Sequence, residues 1–578
     1  PDTLVYGPFL RYGGYDPVSH AYYASVLAII HQARSPKAPM LHFRDINVSG
    51  SHTEVQGQHL LHYRGFNAWR FDLTILCGMP SRLVEYHVVP SAGNMFVTLP
   101  RYRFHVPGVS QRWRWGFFSC NGFDQADKEQ EYGGIQPLWR DVMHSHEERP
   151  IHLMVGGGDQ LYNDDVWNLP SMVQWLSIPE KASRLNYPFT QEMADQVEWF
   201  YFTMYAKHWS QPLFADALAS IPHAMTWDDH DIFDGWGSYP DEIHRCGVFQ
   251  GIFHYARLFY ALFQQHATPG RVHELNGTFG GNAWHTVTCF GKTLGICVLD
   301  ARTERSRAAV VPASDYVKVQ QQLAALPSTV RHVVFVTGVP LIYPHIPGAE
   351  GFMHALSGGH CCAVGVRTMI AQTGVASSLL NSFDQVELLD DLVDHWSSAV
   401  HKDERMKLLH MLQELAQKRS MRVTFLAGDV HVAAWARFAS AEKTPKIKDF
   451  RYMPQIISSA IGNGPPPFNA VRMLQLFSRK RTVDANTDQK MMPMSTGKLM
   501  RAQRNWAIVE EAPLEDGSVL KDGALTFQIR LEHKSMIGKV IHHREDLAID
   551  VINIKVEPLL IQPEASFDAS KLTPFGQL

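Results

Sequence analysis

The sequence has few cysteines and no long apolar run. Seven cysteines in 578 residues are sparse and odd in number, which argues against a disulfide scaffold. No CxxC pair occurs, so a zinc ribbon or a thioredoxin-type site is excluded. The longest apolar stretches, such as 332–342, reach about half a membrane span, and no spanning helix is expected. With no charged-then-apolar leader, the cysteine content favours a cytoplasmic location, and a processed secreted form is the alternative.

Neither sign of charge dominates. Lys plus Arg number 53 and Asp plus Glu number 57, for a formal net charge of −4, and no basic cluster of five or six residues occurs. We therefore expect no nucleic-acid binding and no general attraction to anionic membranes. Thirty histidines exceed an ordinary composition. Because imidazole is the commonest metal ligand, this excess points towards metal chemistry.

The pattern of the sequence changes near residue 110. Residues 1–110 contain short alternating apolar runs separated by Gly, Pro and Ser, with helical periodicity only at 18–33, which predicts a small antiparallel β-sandwich. Over 111–578, apolar runs alternate with amphipathic segments, which predicts a layered α/β domain. Two excursions, at about 343–385 and 463–500, are expected to be loops or lids.

Four of the predicted strands end in polar residues. In a layered α/β domain, functional groups collect at the carboxyl ends of strands, so these residues are expected to meet. The four sets are Cys120; Asp159 with Tyr162; Asp228, Asp229, His230 and Asp231; and Asp429 with His431.

The carboxylates of Asp228, Asp229 and Asp231 would repel one another, and some would take up protons unless a cation neutralised them. Carboxylate and imidazole groups bind divalent and trivalent ions. Two ions about 3.5–4 Å apart would clamp a phosphoryl group and generate a hydroxide nucleophile. Taken singly, Asp159 also fits a turn former and Cys120 a small buried apolar residue. Their joint occurrence favours a metal site.

The order of these motifs resembles that of a known family, the PhoD-like (alkaline phosphatase D) branch of the calcineurin-like metallophosphoesterases. The resemblance covers about 111–460, and the β-rich start is similar to that family's N-terminal sandwich. It implies an α/β fold: a layered αββα domain, with a central pair of sheets and a multinuclear metal site at strand ends. The motifs are Ser-Cys120, Gly-Asp159-x-x-Tyr162, Trp-Asp-Asp229-His230, Leu-Asp-x-Arg302 and Gly-Asp429-Val-His431.

The resemblance implies a set of metal ligands. Asp159 would bridge two ions, and Tyr162 and Cys120 would bind a ferric ion. Fe³⁺ together with Ca²⁺ is therefore suggested, while Zn²⁺, Mg²⁺ and Mn²⁺ remain open. Asp229 stands where the wider superfamily has an asparagine ligand. The complete implied set is Cys120, Asp159, Tyr162, Asp229, Asp429 and His431.

Two further residues are implied to act on the substrate. His230 would stabilise the transition state, and Arg302 would hold phosphate oxygens bidentately, although an ion pair between Arg302 and Asp300 is an alternative. Asp234 lies where the sequence departs from the family pattern, and Asp394 lies in a tract that resembles the family's Trp-Asp-Gly-Tyr region. Asp234 fits either a metal ligand or a turn cap, and Asp394 either an outer position of the metal site or an acidic helix start.

These features predict a metal-dependent hydrolase of phosphoric esters, a phosphomonoesterase and/or phosphodiesterase, in which a metal-activated hydroxide attacks phosphorus. Small phosphate esters and phospholipid-like molecules are both candidate substrates, and the oligomeric state is left open. The alternative is a metal-binding but catalytically idle scaffold that binds a protein partner. A nucleotide-binding turn at Gly156–Asp159 is disfavoured because GxGxxG and a P-loop lysine are absent.

Overall fold

The computed structural model describes residues 3–31, 37–90, 100–344, 394–511, 523–539, 546–564 and 567–578. The excursion expected at 343–385 therefore lies outside the described residues, apart from its first two positions. The described chain is a mixed α/β fold with three sheets.

The strands are β1 (Thr3–Asp16), β2 (Ala21–His31), β3 (Met40–Asp45), β4 (Thr53–Gln56), β5 (Gln58–Tyr63), β6 (Phe66–Leu76), β7 (Arg82–Val89), β8 (Tyr102–Val106), β9 (Arg114–Phe118), β10 (Leu153–Gly157), β11 (His223–Thr226), β12 (Thr286–Phe290), β13 (Leu294–Val298), β14 (His332–Val336), β15 (Arg422–Ala427), β16 (Ala433–Ser440), β17 (Met453–Ser458), β18 (Arg481–Asp484), β19 (Thr487–Met492), β20 (Met500–Arg501), β21 (Asn505–Glu511), β22 (Leu525–Glu532) and β23 (Ile549–Val556).

The α-helices are α1 (Ala126–Tyr132), α2 (Gln136–Glu148), α3 (Pro170–Leu176), α4 (Lys181–Leu185), α5 (Gln191–Trp209), α6 (Phe214–Ser220), α7 (Asp241–His244), α8 (Gly247–Phe263), α9 (Val272–Asn276), α10 (Ala313–Ala325), α11 (Lys402–Arg419) and α12 (Phe468–Leu476). In the part of the chain that the structure describes, none of these helices combines the length and apolar character needed to cross a membrane.

Two large sheets dominate the fold. The ten-stranded sheet has the order β23-β22-β21-β9-β10-β11-β1-β2-β6-β5, and the nine-stranded sheet has the order β12-β13-β14-β15-β17-β16-β19-β18, with β20 paired to β16. At the centre of each sheet the strands run parallel: β9, β10 and β11 in the first, and β13, β14, β15 and β17 in the second. The carboxyl ends of these neighbouring strands therefore lie along common sheet edges.

The parallel strands are short apolar segments that the fold buries completely. Every residue of β9, β10, β14 and β15 is buried, as expected for strands covered on both faces. Trp115 and Val155 of the ten-stranded sheet share one hydrophobic core with Ile296 and Phe425 of the nine-stranded sheet. On the other face of the ten-stranded sheet, Met154 packs in a second core with residues of several helices, among them α2, α5 and α8.

The N-terminal strands divide between two sheets. β1, β2, β6 and β5 continue the ten-stranded sheet, where β1 meets β11 through the parallel pairing of Arg11 with His223. The other four form a separate antiparallel sheet with the order β4-β3-β7-β8. Leu41 and Phe104 of this smaller sheet lie in the same core as Phe71 of β6.

Two local predictions are wrong. Residues 18–33, expected to be helical, contain strand β2, which pairs with β1 on one side and with β6 on the other and has most of its apolar residues buried. The excursion at 463–500 is not simply a loop. It contains helix α12 and the antiparallel pair β18 and β19, and β19 pairs with β16 so that the side chain of Met491 is buried.

Candidate metal centre

The candidate site begins at four strand ends. Cys120, Asp159, Asp228 and Asp429 are each the second residue after a buried strand, following β9, β10, β11 and β15 respectively. Since β9, β10 and β11 are adjacent parallel strands, the first three residues emerge side by side, and β15 brings Asp429 from the other sheet.

The backbone at this site takes an uncommon conformation. The φ angles of Cys120, Asp159, Asp429 and His431 are 54°, 53°, 66° and 50°, all in the left-handed region that side chains other than glycine seldom adopt. Such conformations cluster at functional sites, where the surrounding structure holds them in place. Four of the six metal ligands implied by the sequence are held in this way.

Four carboxylates converge beside these turns. Asp159, Asp228, Asp229 and Asp429 each offer an oxygen, and these oxygens lie within 4.8 Å of one another. Burial, followed by repulsion from Asp229 and Asp228, raises the pKa of Asp159 well above its usual range. Burial also raises the pKa of Asp228 to about 6, although the Arg302 guanidinium opposes this shift, and burial and Asp228 raise the pKa of Asp429. The cluster therefore favours a positive charge at its centre.

Two oxygen atoms of the cluster have no partner within the described chain. Oδ1 of Asp159 and Oδ2 of Asp228 are buried and accept no hydrogen bond from any described residue. Buried polar atoms are nearly always satisfied, so these oxygens fit a role as metal ligands. Asp228 is absent from the ligand set implied by the sequence, because the family motif directs attention to its neighbour Asp229.

Cys120 and Tyr162 lie on one side of Asp159. The Cys120 sulfur is 3.4 Å from Oδ2 of Asp159 and 3.1 Å from the Ser459 hydroxyl, and the Tyr162 hydroxyl is 3.0 Å from Nε2 of His431. Burial raises the pKa of both the Cys120 thiol and the Tyr162 phenol well above their usual ranges. A metal ion is the kind of neighbour that deprotonates such groups. The thiol, phenol and imidazole thus form a second group of donors that adjoins the carboxylates.

His230 stands between the two donor groups. Its Nδ1 lies 2.8 Å from a carboxylate oxygen of Asp164, and its ring centroid is 4.4 Å from that of Tyr162. Burial lowers the pKa of His230, but the carboxylates of Asp164 and Asp229 outweigh burial and raise it well above its usual value. Asp164 also accepts a hydrogen bond from the backbone N–H of Asp234 at 2.7 Å. Sequence reasoning gave no role to Asp164, although it lies only two residues beyond Tyr162.

Arg302 lies buried behind the carboxylates. Its guanidinium contacts Asp228, donates to Oδ1 of Asp229 at 3.2 Å, and forms a bidentate pair with Asp394 at 2.6 and 2.8 Å. The expected alternative, an ion pair with Asp300, is not what this side chain makes. The Asp300 carboxylate accepts hydrogen bonds from Trp227 Nε1 and from the backbone N–H of Trp284.

Asp231 couples two of the loops that carry site residues. Its carboxylate accepts hydrogen bonds from the backbone N–H groups of Asp228 and Gln160 at 2.9 and 3.2 Å, and from Gln264 Nε2 at 3.0 Å. Burial raises the pKa of Asp231 to about 7. The residue thus ties the loop after β10 to the loop after β11 and leaves its neighbours to face the cavity.

A cavity of about 280 Å³ opens at this site. Asp234 and Asp394, for which the sequence left alternatives open, both line it, and Pro466 brings the second excursion to its rim. Among the described residues, Arg302 does not line the cavity. The described residues that line the cavity are Asp159, Asp229, His230, Asp234, Gly235, Tyr343, Asp394, His395, Asp429, Val430, His431 and Pro466.

Tyr343 and His395 are cavity residues that sequence reasoning did not select. Their rings stack with centroids 5.1 Å apart. His395 directly follows Asp394, so its position in an acidic tract was the available signal. For Tyr343, at the end of a buried segment after β14, the sequence offers no comparable signal.

A match to a family model agrees with the motif order and with the arrangement of donors. The model described as "PhoD related phosphatase" matches residues 91–372 and 360–500, which together span more than half of the chain. The chain belongs to this family. The resemblance identified from the motifs is thereby confirmed, and the protein is a phosphatase, a metal-dependent phosphoesterase.

Three individual relatives each share less than a third of their residues with the chain. The chain is 29% identical over 556 residues to the uncharacterized protein YGR266W of Saccharomyces cerevisiae, and the match covers 85% of this chain and 77% of that protein. Among solved structures, the structure of PhoD covers 97% of this chain and 94% of its own, with 13% identity and a TM-score of 0.53, which shows a shared fold. Purple acid phosphatase PPD1 from yellow lupin seeds matches with 12% identity and a TM-score of 0.47, covering 92% of this chain and 72% of its own.

Proposed function

We propose that the protein hydrolyses phosphoric monoesters, diesters or both in the cavity floored by Asp159, Asp229 and Asp429. The observation that carries this proposal is the pair of unpartnered buried oxygens, Oδ1 of Asp159 and Oδ2 of Asp228, inside a four-carboxylate cluster. A purely structural role for these carboxylates would leave both oxygens unsatisfied at a cost of about 1–3 kcal/mol each.

Asp159 is the residue best placed to serve two ions. One of its oxygens lies 3.4 Å from the Cys120 sulfur, and its carboxylate also belongs to the cluster with Asp228, Asp229 and Asp429. We infer that Cys120, Tyr162 and His431 would hold one ion, that Asp228, Asp229 and Asp429 would hold another, and that Asp159 would serve both. The phenol and thiol suit a ferric ion, and the oxygen-rich set suits Ca²⁺ or a similar hard cation. When bound, such ions lower the pKa of water and polarise phosphoryl oxygens.

His230 is positioned to act on the phosphoryl group. Asp164 holds Nδ1 and, together with Asp229, raises the pKa of His230, which favours a protonated ring in the cavity. We infer that His230 stabilises negative charge as it develops on the phosphoryl oxygens. The same arrangement allows His230 to donate a proton to the leaving group.

Arg302 supports the site from behind. Its donors are committed to Asp228, Asp229 and Asp394, so its contacts favour a role in positioning these carboxylates. The contact with phosphate that the resemblance implies would require Arg302 to release at least one of them. We infer that Arg302 acts through its three partners and offsets part of their charge.

We also infer that the two large sheets are the inner layers of an αββα domain over 111–578. The shared core of Trp115, Val155, Ile296 and Phe425 supports this arrangement, as does the second core beneath α2, α5 and α8. Residues 1–110 would form the sandwich-like part, in which the four-stranded sheet packs against strands that continue the ten-stranded sheet.

The test is a metal-replete preparation assayed against aryl phosphate monoesters and diesters. Asp159→Asn is expected to abolish turnover and to lower the bound metal content, because one carboxylate serves both ions. Asp127→Asn, at an exposed position on α1, is the matched control and should retain both. If the native chain carries Asp159-dependent metal but turns over neither ester, hydrolysis is refuted and the idle scaffold is favoured.

A further inference from the structure

A row of chelating side chains crosses the four-stranded sheet, away from the phosphatase centre. His42 of β3 is paired in register with Glu54 of β4 on one side and with His87 of β7 on the other. Residues paired in this way project from the same face of a sheet. His52 lies just before β4, and its Nε2 is 3.1 Å from Oε1 of Glu54, so it reaches the same face. Three adjacent strands and the turn that enters β4 therefore present three imidazoles and one carboxylate together.

The distances within this row suit a shared ion. The His42 ring centroid is 5.2 Å from that of His52 and 5.2 Å from that of His87. Oε1 of Glu54 lies 3.1 Å from His52 Nε2 and 3.7 Å from His42 Nδ1. One ligand atom from each of His42, His52 and Glu54 can be chosen so that all lie within 4.8 Å of one another. A tetrahedral zinc site needs its ligands about 2.0–2.2 Å from the ion, so these side chains would have to turn towards a common centre on binding.

A metal ion requires ionised carboxylates and neutral imidazoles, so zinc binding at this row should weaken in acid. The next row on the same face consists of Arg44, Glu85 and Arg103, in which the two arginines, which cannot ligate a metal, pair with the Glu85 carboxylate.

We propose that His42, His52 and Glu54 bind a divalent transition-metal ion, Zn²⁺, with His87 as the fourth ligand. Imidazole and carboxylate are ordinary zinc ligands, and four protein ligands are typical of a structural zinc site. The ion would cross-link β7, β3 and β4, since its ligands come from these strands and from the turn that enters β4. This role is independent of the proposed phosphatase chemistry.

The experiment measures zinc binding in the full chain. Chelator-treated protein is titrated with Zn²⁺ by isothermal calorimetry, and bound zinc is counted after dialysis. The His52→Ala and Glu54→Gln variants are expected to bind one ion fewer per chain than the native protein. They should also lose a zinc-dependent rise in Tm, because an ion that binds only the folded state stabilises it. His533→Ala, on an exposed histidine elsewhere, is the matched control and should behave as the native chain does.

The variants are chosen because they should still fold and because they distinguish the proposed zinc site from the phosphatase centre. The side chains of His52 and Glu54 are 52% and 51% exposed, so their replacement removes little packing. In an Asp159→Asn background the zinc ion of the four-stranded sheet should remain, and adding His52→Ala should remove it. Aryl phosphate turnover should be unchanged in His52→Ala alone. Equal zinc stoichiometry and affinity in native, His52→Ala and Glu54→Gln chains would overturn the proposal.

Discussion

The Asp164 carboxylate accepts a hydrogen bond from Nδ1 of His230 at 2.8 Å, across 66 positions of sequence. This contact fixes the orientation of the imidazole, and it favours the protonated ring. Because Asp164 also accepts the backbone N–H of Asp234, one carboxylate orients two sides of the cavity.

Replacing Asp164 with Asn should weaken catalysis without removing metal. We expect kcat/KM to fall by about 10–100-fold, the usual effect of losing such a supporting partner. The pKa of His230 should fall when the carboxylate is removed. Activity that requires the protonated ring should therefore decline at lower pH than in the native enzyme. A pH–rate profile with metal analysis measures both effects. Asp165→Asn, at the exposed neighbouring position, is the control, and an unshifted profile in Asp164→Asn would contradict this role for His230.

Replacing Arg302 with Ala should destabilise the protein and deplete its metal. Removing one member of a buried ion pair costs about 3–5 kcal/mol, because uncompensated charge is left behind. Here the carboxylates of Asp228, Asp229 and Asp394 would lose their common partner. Arg302→Lys should recover part of the stability but not the bidentate geometry. Thermal unfolding and metal analysis provide the measurements. A variant with full metal content and only a raised KM would instead support direct contact of Arg302 with phosphate.

The concentrated protein should be coloured if Tyr162 binds ferric iron. A phenolate on Fe³⁺ absorbs visible light, whereas Zn²⁺, Mg²⁺ and Ca²⁺ sites are colourless. Tyr162→Phe should remove or shift the absorption band with little loss of stability. Tyr201→Phe is the matched buried control, because its hydroxyl donates to the Ile232 carbonyl instead. Loss of the band in Tyr343→Phe, with Tyr162→Phe unchanged, would identify the cavity residue Tyr343 as the ligand.

Gly158 is expected to tolerate no side chain. Its φ is +114°, and a Cβ placed on it would lie 2.5 Å from Cβ of Asp228. Gly158→Ala should therefore cost about 2 kcal/mol or more of folding free energy and should displace Asp228 from the cluster. Gly50→Ala separates the two causes, since Gly50 also has a positive φ, +76°, but open space around it. Equal losses of stability in the two variants would show that the contact with Asp228 is unimportant.

His332 should make the fold sensitive to acid. Burial, with a smaller contribution from Arg422, lowers the pKa of His332 to about 3, while its ring nitrogens contact the Gly523 carbonyl and the Thr424 hydroxyl. The unfolded chain has the higher pKa, about 6.5, so it binds more protons, and stability falls as pH drops below that value. Between about pH 6 and 4, His332→Gln should reduce the slope of unfolding free energy against pH by about 1.4 kcal/mol per unit. Identical slopes would contradict a buried neutral His332.

The sequence was informative where local order determines position. Cys120, Asp159 and Asp429 each follow a short apolar run, and such runs mark buried parallel strands whose ends share an edge. That these residues lie close together could therefore be predicted from the neighbouring sequence alone. The loop or lid predicted at 343–385 lies outside the described residues, apart from its first two positions, and stays a prediction.

Partners far apart in sequence could not be predicted. Arg302 and Asp394 are separated by 92 positions, and only the folded arrangement makes them a bidentate pair. The sequence around Asp394 is equally consistent with an outer position of the metal site and with an acidic helix start. Similarly, Ala21–His31 shows helical periodicity, but pairing with β1 and β6 forces it into a strand. In this strand, tertiary contacts override the local preference.

The left-handed backbone at Cys120, Asp159, Asp429 and His431 implies a conflict between robustness and activity. Each such conformation costs about 1–3 kcal/mol, and the fold carries four of them around one cavity. Glycine at any of these positions would relieve that strain and remove the donor. Variants selected only for heat resistance should therefore accumulate glycine at these turns and lose metal. A search for more thermostable forms of the enzyme must therefore measure turnover together with melting temperature.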